Sequence, residues 1–330
     1  MEMNTQTSTP LCMSDGVNGR IGLALGGGAA RGWAHIGVIR ALAEIGVEPD
    51  IVAGTSIGAL VGAAYAGGQL DALEQWALSL NWKDLFAYLD LSLLSGGIIQ
   101  GEKLMELARG WVKDVPIESL PRRLAMVATE LDTGREVWFR EGPLLEAVRA
   151  SMGLPGLLAP VKSEGRWLVD GGLTNPVPVS LCRAMGAEVV IAVNLNGDIV
   201  GKHGRQRNNE RRVADTHASL NPTAGTDFWN KISTQFKNGL NERRQLLLGQ
   251  LFGASRDAPG LFDVLASSLN IMQDRITRSR MAGDPPELML IPRLAHLGLL
   301  EFDQAAAAIA EGRASVQRMR PALEQILLGL

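Results

Sequence analysis

The chain has little cysteine and no surplus of charge of either sign. Among 330 residues there are 2 cysteines, Cys12 and Cys182, and their separation matches neither a metal-binding spacing nor a disulfide framework. This usage is typical of a reducing compartment. With 32 basic against 35 acidic residues, the formal charge of −3 creates no overall field that would attract nucleic acid. We therefore expect no nucleic-acid partner.

Long apolar runs are also absent. No segment reaches the roughly 18 consecutive apolar residues that a membrane-spanning helix needs. The polar residues 1–20 contain no apolar core of a secretion signal. We therefore expect a cytoplasmic protein with residues 1–20 as a flexible N-terminal segment. A peripheral contact with the inner face of the membrane stays open, because such a contact needs no spanning segment.

Small and aliphatic residues take the place of aromatic ones. Aromatic residues make up 5% of the chain, whereas it contains 38 glycines. This composition favours layers of helices and parallel strands over an all-β fold. Between residues 21 and 196, strand-like and helix-like segments alternate. This order predicts an α/β fold with a mainly parallel sheet that is covered by helices on both faces.

The spacing of apolar residues predicts the individual elements. Strands are predicted at 21–25, 51–53, 123–131, 136–140, 168–170, 189–194 and 288–291. Helices are predicted at 32–45, 57–66, 70–80, 103–112, 143–150, 228–252 and 261–281, with closing helices over 303–328.

These elements divide the chain into a core and later additions. Residues 21–198 are predicted to form the core, and 286–330 to complete the same domain with a strand and helices. Between them, 199–285 is predicted to be a polar loop followed by a helical insertion. The loop is rich in arginine and is interpreted as solvated, with contact to anionic lipid headgroups as the alternative. The apolar stripe of 228–252 is interpreted as core packing, with a lid or membrane contact as the alternative.

A pentapeptide at a strand-to-helix turn predicts a nucleophilic serine. Gly54-Thr55-Ser56-Ile57-Gly58 joins a short apolar segment to a helix of small residues. A serine at such a turn has a strained backbone, and Gly54 and Gly58 let neighbouring chain approach closely. The N-terminus of the helix favours negative charge that develops near Ser56. The alternative is a helix N-cap serine after a tight turn.

Such a serine needs a base, and the 4 histidines are poorly placed for that role. His203 and His217 fall in the polar loop, where a base would not be held in place. His35 lies on the first predicted helix among apolar neighbours, which favours a structural role. His296, near the end of the last predicted strand, remains as a candidate.

Asp170 is the stronger candidate for the base. An apolar segment delivers it to the carboxyl edge of the sheet, and Gly171 and Gly172 turn the chain away from it. The carboxylate could accept the proton of Ser56 without an imidazole, provided that burial raises its pKa. The alternative is an Asp-Gly turn whose carboxylate bonds to the backbone.

A glycine-rich loop after the first strand supplies the third element. Gly26, Gly27 and Gly28 leave backbone N–H groups uncovered, and these groups can converge on the oxyanion of a tetrahedral intermediate. Arg31 either holds this loop by hydrogen bonds, which is the favoured interpretation, or attracts a phosphate. Nucleotide-binding fingerprints fail, because Arg31 occupies the third glycine position of G-x-G-x-x-G and Trp33-Ala34 replace the Lys-Ser/Thr of a P-loop.

Taken together, the segments 26–38, 54–58 and 170–172 resemble the patatin-like phospholipase family in order, spacing and flanks. The segments 151–156 and 175–178 resemble its bacterial branch, which is related to the neuropathy target esterase type. The resemblance extends over 20–198, and more weakly over 259–291. It implies a three-layer α/β/α sandwich that hydrolyses lipid acyl esters with a Ser-Asp dyad and needs neither metal nor cofactor.

Carried onto this sequence, the resemblance implies Ser56 as nucleophile, Asp170 as base and the backbone of Gly26 to Gly28 as oxyanion hole. Further motif positions support these groups: Arg31, Gly32, Gly54, Gly58, Gly171 and Gly172. Compared with plant patatins, one more residue separates the glycine triplet from Arg31, so the amides that face the oxyanion stay open. A lipid or other acyl ester is the expected substrate, and the sequence predicts neither headgroup nor oligomeric state. The alternative is a lipid-binding or regulatory protein on a hydrolase scaffold.

Overall fold

The computed structural model describes residues 20–81, 97–99, 101–112, 114–199 and 261–328. Most of the predicted polar loop, the predicted helix 228–252, His203 and His217 lie outside the described residues. The same holds for residues 1–19 of the predicted N-terminal segment.

In the described ranges, ten strands form one large and one small sheet. In chain order they are β1 Ile21–Leu25, β2 Ile51–Thr55, β3 Gly97–Ile99, β4 Arg123–Glu130, β5 Glu136–Phe139, β6 Gly156–Leu158, β7 Val161–Ser163, β8 Arg166–Asp170, β9 Val189–Val193 and β10 Leu288–Leu290. The large sheet has 8 strands in the order β10-β9-β1-β2-β4-β8-β7, with β5 paired to β4. The strands from β10 to β4 are parallel, whereas β5, β7 and β8 pair with their neighbours in the antiparallel direction. A separate pair is formed by β3 and β6.

Eight α-helices surround these strands in the described part of the chain. They are α1 Ala34–Glu44, α2 Ile57–Ala66, α3 Leu70–Ser79, α4 Glu102–Ala108, α5 Leu144–Ser151, α6 Val179–Ala184, α7 Leu261–Gly283 and α8 Ala305–Leu328. Short 3-10 turns occur at Ala29–Trp33, Ile117–Ser119, Gly171–Leu173 and Phe302–Gln304. Within these ranges, no helix is long and apolar enough to cross a membrane.

The central strands are buried on both faces. Along β1, Leu23 belongs to one apolar cluster and Ala24 to another, and Val52 and Ala53 of β2 alternate in the same way. Because successive side chains of a strand point to opposite faces, each cluster lies on one face of the sheet. The larger cluster includes side chains of α1, α2 and α8, and the smaller one includes those of α6. This arrangement confirms the predicted three-layer α/β/α fold with a mainly parallel sheet.

Strand β4 brings two other strands together at their carboxyl ends. Its first part pairs with β2 in parallel, and its last part pairs with β8 in the antiparallel direction. Both strands lie along the same edge of β4, because β5 occupies the opposite edge at overlapping positions. Thr55 at the end of β2 is opposite Val127, and Asp170 at the end of β8 is opposite Ala128. The residue after Thr55 therefore meets Asp170.

Several element bounds differ from the sequence prediction. The segment that opens the first predicted helix is a 3-10 turn, so α1 begins at Ala34. Helix α4 ends at Ala108 instead of continuing to 112, and turns follow it. The predicted closing helices are a single helix, α8, which continues through Pro321 because Leu323 and Leu327 anchor its last turns in the core. The 3-residue strands β3, β6 and β7 are too short to show a period of their own.

Candidate active site

Ser56 lies at a strained turn between β2 and α2. Its backbone has φ 58° and ψ −125°, a conformation that non-glycine residues rarely adopt. The turn is tight on both sides. A Cβ at Gly54 would stand 2.5 Å from the Cα of Ala59, and a Cβ at Gly58 would overlap the carbonyl oxygen of Leu25. The two glycines thus allow the chain to turn with Ser56 at its tip, as the pentapeptide predicts.

The hydroxyl of Ser56 donates a hydrogen bond to Asp170. The distance from Ser56 Oγ to Asp170 Oδ2 is 2.5 Å. The other carboxylate oxygen, Oδ1, accepts from the backbone N–H of Gly172 at 2.7 Å. One oxygen of Asp170 therefore fixes the Asp-Gly turn, while the other accepts the hydrogen bond from the serine.

Burial changes the acidity of this carboxyl group. Asp170 is 1% exposed, and loss of solvation raises its pKa from 3.8 to about 6, against the opposing effects of the hydrogen bonds from Ser56 and Gly172. Such a rise in pKa is the condition under which the sequence predicted that Asp170 could act as a base. At neutral pH the group is still mainly ionised, and it is a stronger proton acceptor than an exposed aspartate.

Two hydroxyl side chains to which the sequence assigned no role hold Ser56 and Asp170 in place. Ser151 is fully buried, and its Oγ accepts from the N–H of Ser56 at 2.8 Å and donates to the carbonyl of Val127 at 2.6 Å. Thr129 donates to the backbone carbonyl of Asp170 at 2.9 Å. Ser151 falls in the 151–156 stretch that carried the family resemblance, which was the one available signal for it.

Only part of the glycine loop has free backbone donors. The N–H of Gly26 donates to the carbonyl of Val193 at 3.1 Å, and that of Gly27 donates to Pro176 at 2.9 Å. The N–H groups of Gly28 and Ala29 have no acceptor among the described residues. Both residues line a cavity beside Ser56. Ala29 has φ 48°, so a second non-glycine residue of the site is strained.

The structure gives His35 a structural role. Its Nε2 donates to the carbonyl of Gly26 at 2.7 Å, and complete burial lowers its pKa to about 4. The ring is therefore neutral at physiological pH and holds the start of the glycine loop. The other histidine within the described residues, His296, is exposed and bonds to neither Ser56 nor Asp170.

Arg31 is buried and makes its hydrogen bond within the protein. It is 3% exposed, and Nη1 donates to Asn196 Oδ1 at 3.0 Å. Burial lowers its pKa to about 10, so it keeps its charge at neutral pH. The amide of Asn196 in turn donates to Gln273 Oε1 at 2.8 Å. This contact agrees with the loop-holding interpretation of Arg31, while Asn196 and Gln273 belong to no motif that the sequence offered.

A narrow cavity opens above Ser56. Helix α7 packs against the 3-10 turn Gly171–Leu173 that follows Asp170, and so forms one wall. Arg280 anchors this helix through a 2.7 Å hydrogen bond to the carbonyl of Thr174 and through an ion pair with Glu136. The lining residues are Gly28, Ala29, Ser56, Leu154, Leu269, Asn270, Gln273 and Leu299. The cavity thus combines an apolar lining with a small number of polar groups around the serine.

Comparison with known proteins assigns the chain to a family. A family model described as Patatin-like phospholipase matches residues 23–183. An NTE family protein of Mycobacterium bovis is 36% identical over 341 residues, which cover 92% of each chain. The chain belongs to the patatin-like phospholipase family. The family model includes the glycine loop, the Ser56 turn and Asp170.

Relatives of the chain also occur in animals. A patatin-like phospholipase domain-containing protein of Caenorhabditis elegans is 39% identical over 184 residues, which are 53% of this chain and 13% of that protein. The mouse patatin-like phospholipase domain-containing protein 6 is 37% identical over 182 residues, with the same shares of 53% and 13%. Membership of the family supports hydrolysis of lipid esters in general terms.

Proposed function

We propose that the protein is a serine acyl-ester hydrolase that acts on lipids through Ser56 and Asp170. The observation that carries this proposal is the 2.5 Å hydrogen bond from Ser56 Oγ to a buried carboxylate, at a backbone turn that is strained. A free hydroxyl is a weak nucleophile, and an adjacent base is what activates it. Family membership independently favours a lipid ester as substrate.

In the first half-reaction, Ser56 Oγ attacks the ester carbonyl carbon while Asp170 accepts the hydroxyl proton. The bond from Oγ to the carbonyl carbon forms, and the carbonyl oxygen becomes an oxyanion. Collapse of this intermediate breaks the bond to the alkoxy oxygen, which leaves with the proton that Asp170 took from Ser56. The product is an acyl-enzyme.

In the second half-reaction, water takes the place of the departed alcohol. Asp170 accepts a proton from this water as the water oxygen bonds to the acyl carbon. The bond from the acyl carbon to Ser56 Oγ then breaks, and Asp170 returns the proton to Oγ. The fatty acid leaves and the dyad is restored. A base whose pKa lies near 6 suits both steps, because it is ionised at neutral pH and gives its proton back readily.

The oxyanion hole is assigned to the amides of Gly28 and Ala29. These N–H groups are without an acceptor among the described residues and line the cavity, whereas the amides of Gly26 and Gly27 already donate to carbonyls. Gly28 thus stays in the oxyanion hole that the resemblance implied, and Gly26 and Gly27 shape the loop. Two preorganised donors can stabilise an oxyanion by several kcal/mol, on the order of 3 kcal/mol for each.

Replacement of the serine tests this function. Ser56→Ala should abolish turnover of acyl esters and labelling by a fluorophosphonate probe, while the melting temperature stays within a few degrees. Ser79→Ala is the matched control, since Ser79 is an exposed helical serine on α3. Turnover at the wild-type rate in Ser56→Ala would contradict the assignment. A folded wild-type protein that never reacts with the probe would instead favour a lipid-binding or regulatory protein on a hydrolase scaffold.

We also propose that α7 makes a peripheral contact with an anionic lipid surface. Its inward face lines the cavity, and four apolar residues on its outward face are about half exposed: Val264 45%, Leu265 46%, Ile271 52% and Met272 47%. The exposed Arg275 and Arg278 lie on or beside this face. Within 264–283 the only carboxylate is Asp274, which is buried and paired with Arg278. Apolar and basic residues together on one helical face suit a negatively charged bilayer surface.

A further inference from the structure

A chain of hydrogen bonds runs from Arg31 through Asn196 to Gln273, and its direction is fixed. A guanidinium group can only donate, so the atom of Asn196 that faces Arg31 must be its amide oxygen. The nitrogen of Asn196 then points away from Arg31 and donates to Gln273, which must accept with Oε1. The ambiguity that usually surrounds side-chain amides is absent here, because Arg31 determines both orientations.

This direction leaves the donor end of Gln273 free. Its Nε2 has no acceptor among the described residues, although the residue is only 7% exposed and lines the cavity with Ser56. Nε2 is not among the fully enclosed atoms without a partner, so it is open to a group that enters the cavity beside Ser56.

The absence of a side chain at Gly172 makes room for this donor. A Cβ at that position would lie 2.5 Å from Gln273 Nε2 and 2.9 Å from Asp170 Oδ1. The amide nitrogen and the carboxylate therefore flank the same small space. The second glycine after Asp170 leaves room for the amide of Gln273, which lies in the volume that a side chain at position 172 would take.

We propose that Gln273 is a substrate-binding residue whose Nε2 donates a hydrogen bond to the alkoxy oxygen of the bound ester, and that Arg31 and Asn196 are positioning residues that orient it. This inference rests on the proposed function. It gives the two oxygens of the ester different partners: the amides of Gly28 and Ala29 hold the carbonyl oxygen, and Gln273 holds the oxygen that departs. Asp170, which returns the proton to that oxygen, lies beside the same donor.

The charge that develops on the departing oxygen decides which esters depend on this hydrogen bond. An alkoxide is a poor leaving group, so a donor to its oxygen stabilises the transition state. In a nitrophenolate the negative charge is delocalised into the ring, so a hydrogen-bond donor to the oxygen adds little stabilisation. Gln273 should therefore accelerate the cleavage of alkyl esters much more than that of p-nitrophenyl esters with the same acyl chain.

Gln273→Met tests the donor, because methionine has a similar length and lacks the amide. For alkyl esters, kcat/KM should fall by about 10- to 100-fold, and for p-nitrophenyl esters it should stay within about 3-fold of the wild type. Labelling of Ser56 by the fluorophosphonate probe should keep its rate. The matched control is Thr277→Val, which replaces a buried polar residue on the same face of α7 that is not part of the cavity wall. In this control, the ratio of kcat/KM for alkyl esters to kcat/KM for p-nitrophenyl esters should be unchanged.

Asn196→Asp tests the direction of the hydrogen bonds. The new carboxylate can accept from Arg31 but cannot donate to Gln273, so the amide of Gln273 should reverse and turn Oε1 toward Asp170. Loss of alkyl-ester turnover should then equal that of Gln273→Met. Thermal stability should be unchanged or higher, because Arg31 gains an anionic partner. A merely structural role for these residues predicts normal turnover of alkyl esters in the folded variant.

The outcomes separate this inference from the proposed function. If the wild type hydrolyses both ester classes and Gln273→Met loses equal factors on each, Gln273 has no role at the departing oxygen. Wild-type alkyl-ester turnover in Asn196→Asp would overturn the assigned orientation. If the wild type neither hydrolyses esters nor reacts with the probe, the proposed function itself fails.

Discussion

The two sides of the cavity are built in different ways. On the sheet side, Ser56, Asp170 and the glycine loop are held by backbone hydrogen bonds and by buried partners such as Ser151. On the helix side, α7 buries three polar residues, Gln273, Asp274 and Thr277, while four of its apolar residues are exposed together with arginines. The sheet side is therefore a rigid support for Ser56 and Asp170, whereas α7 lines the cavity with one face and is exposed on the other.

The sheet side should show the largest loss of activity. Asp170→Asn keeps the shape of the side chain but removes the base, so we expect ester turnover to fall by about 1,000-fold or more. The free energy of unfolding of this variant should increase. Because burial raises the folded-state pKa from 3.8 to about 6, the ionised carboxylate disfavours the folded state above that pH. The variant should be more stable at pH 8 by on the order of 2 kcal/mol, and this gain should vanish below pH 4.

Urea unfolding at pH 8 and pH 3.5, together with initial rates, would check this prediction. A variant of Asp170 that is inactive but no more stable at pH 8 would mean that the carboxylate is solvated. A fully active variant would transfer the role of base to another group, with His296 as the next candidate to replace.

The pH profile should report the raised pKa of Asp170 on the sheet side. As pH falls through about 6, Asp170 takes up a proton, and kcat/KM for a neutral ester should decline about tenfold for each further pH unit. His35 remains neutral over this range, since its pKa is about 4. A decline that begins only near pH 4 would show that the aspartate has its ordinary acidity and would remove the argument from burial.

The helix side should show a smaller effect that depends on the form of the substrate. Ile271→Ser combined with Met272→Ser should lower binding to vesicles that contain phosphatidylglycerol, and turnover of esters in those vesicles, by about 5- to 10-fold. Turnover of a soluble short-chain ester and the melting temperature should not change. Leu78→Ser is a close control, because Leu78 and Ile271 are each 52% exposed.

Three results would count against the lipid contact of α7. Equal losses on soluble and vesicle-bound esters would mean that the substitutions disturb the cavity. A lower melting temperature would indicate that another part of the chain covers the face, and a change in oligomeric state would indicate a second copy. Ser56→Ala should still bind the vesicles, so binding can be judged without turnover.

The sequence was informative where local order decides the geometry. The turn at Ser56 needs glycines at fixed offsets, and the glycine loop follows β1 directly, so both could be predicted from short segments. Asp170 was found because an apolar segment leads to it. The mainly parallel direction of the predicted strands was also right, since strands that alternate with helices are joined by crossovers, which connect parallel strands.

The features of the site that the sequence did not predict depend on contacts between distant segments. Which loop amides are free is decided by the carbonyls of Val193 and Pro176, which no local pattern reveals. Gln273 is one polar residue among several on α7, and its role appears only where the helix packs beside Gly172. The antiparallel direction of β8 was not predicted, because an apolar segment of this length has the same pattern in either direction.

Strand β4 sets the distance between Ser56 and Asp170. The strands that end at Thr55 and Asp170 are registered against neighbouring positions of β4, so the spacing of the two side chains is set by one strand and by none of the connecting loops. Loops around the cavity can then lengthen, shorten or be exchanged while the two residues keep their spacing. The range of substrates can therefore diverge within such a scaffold without rebuilding the reaction.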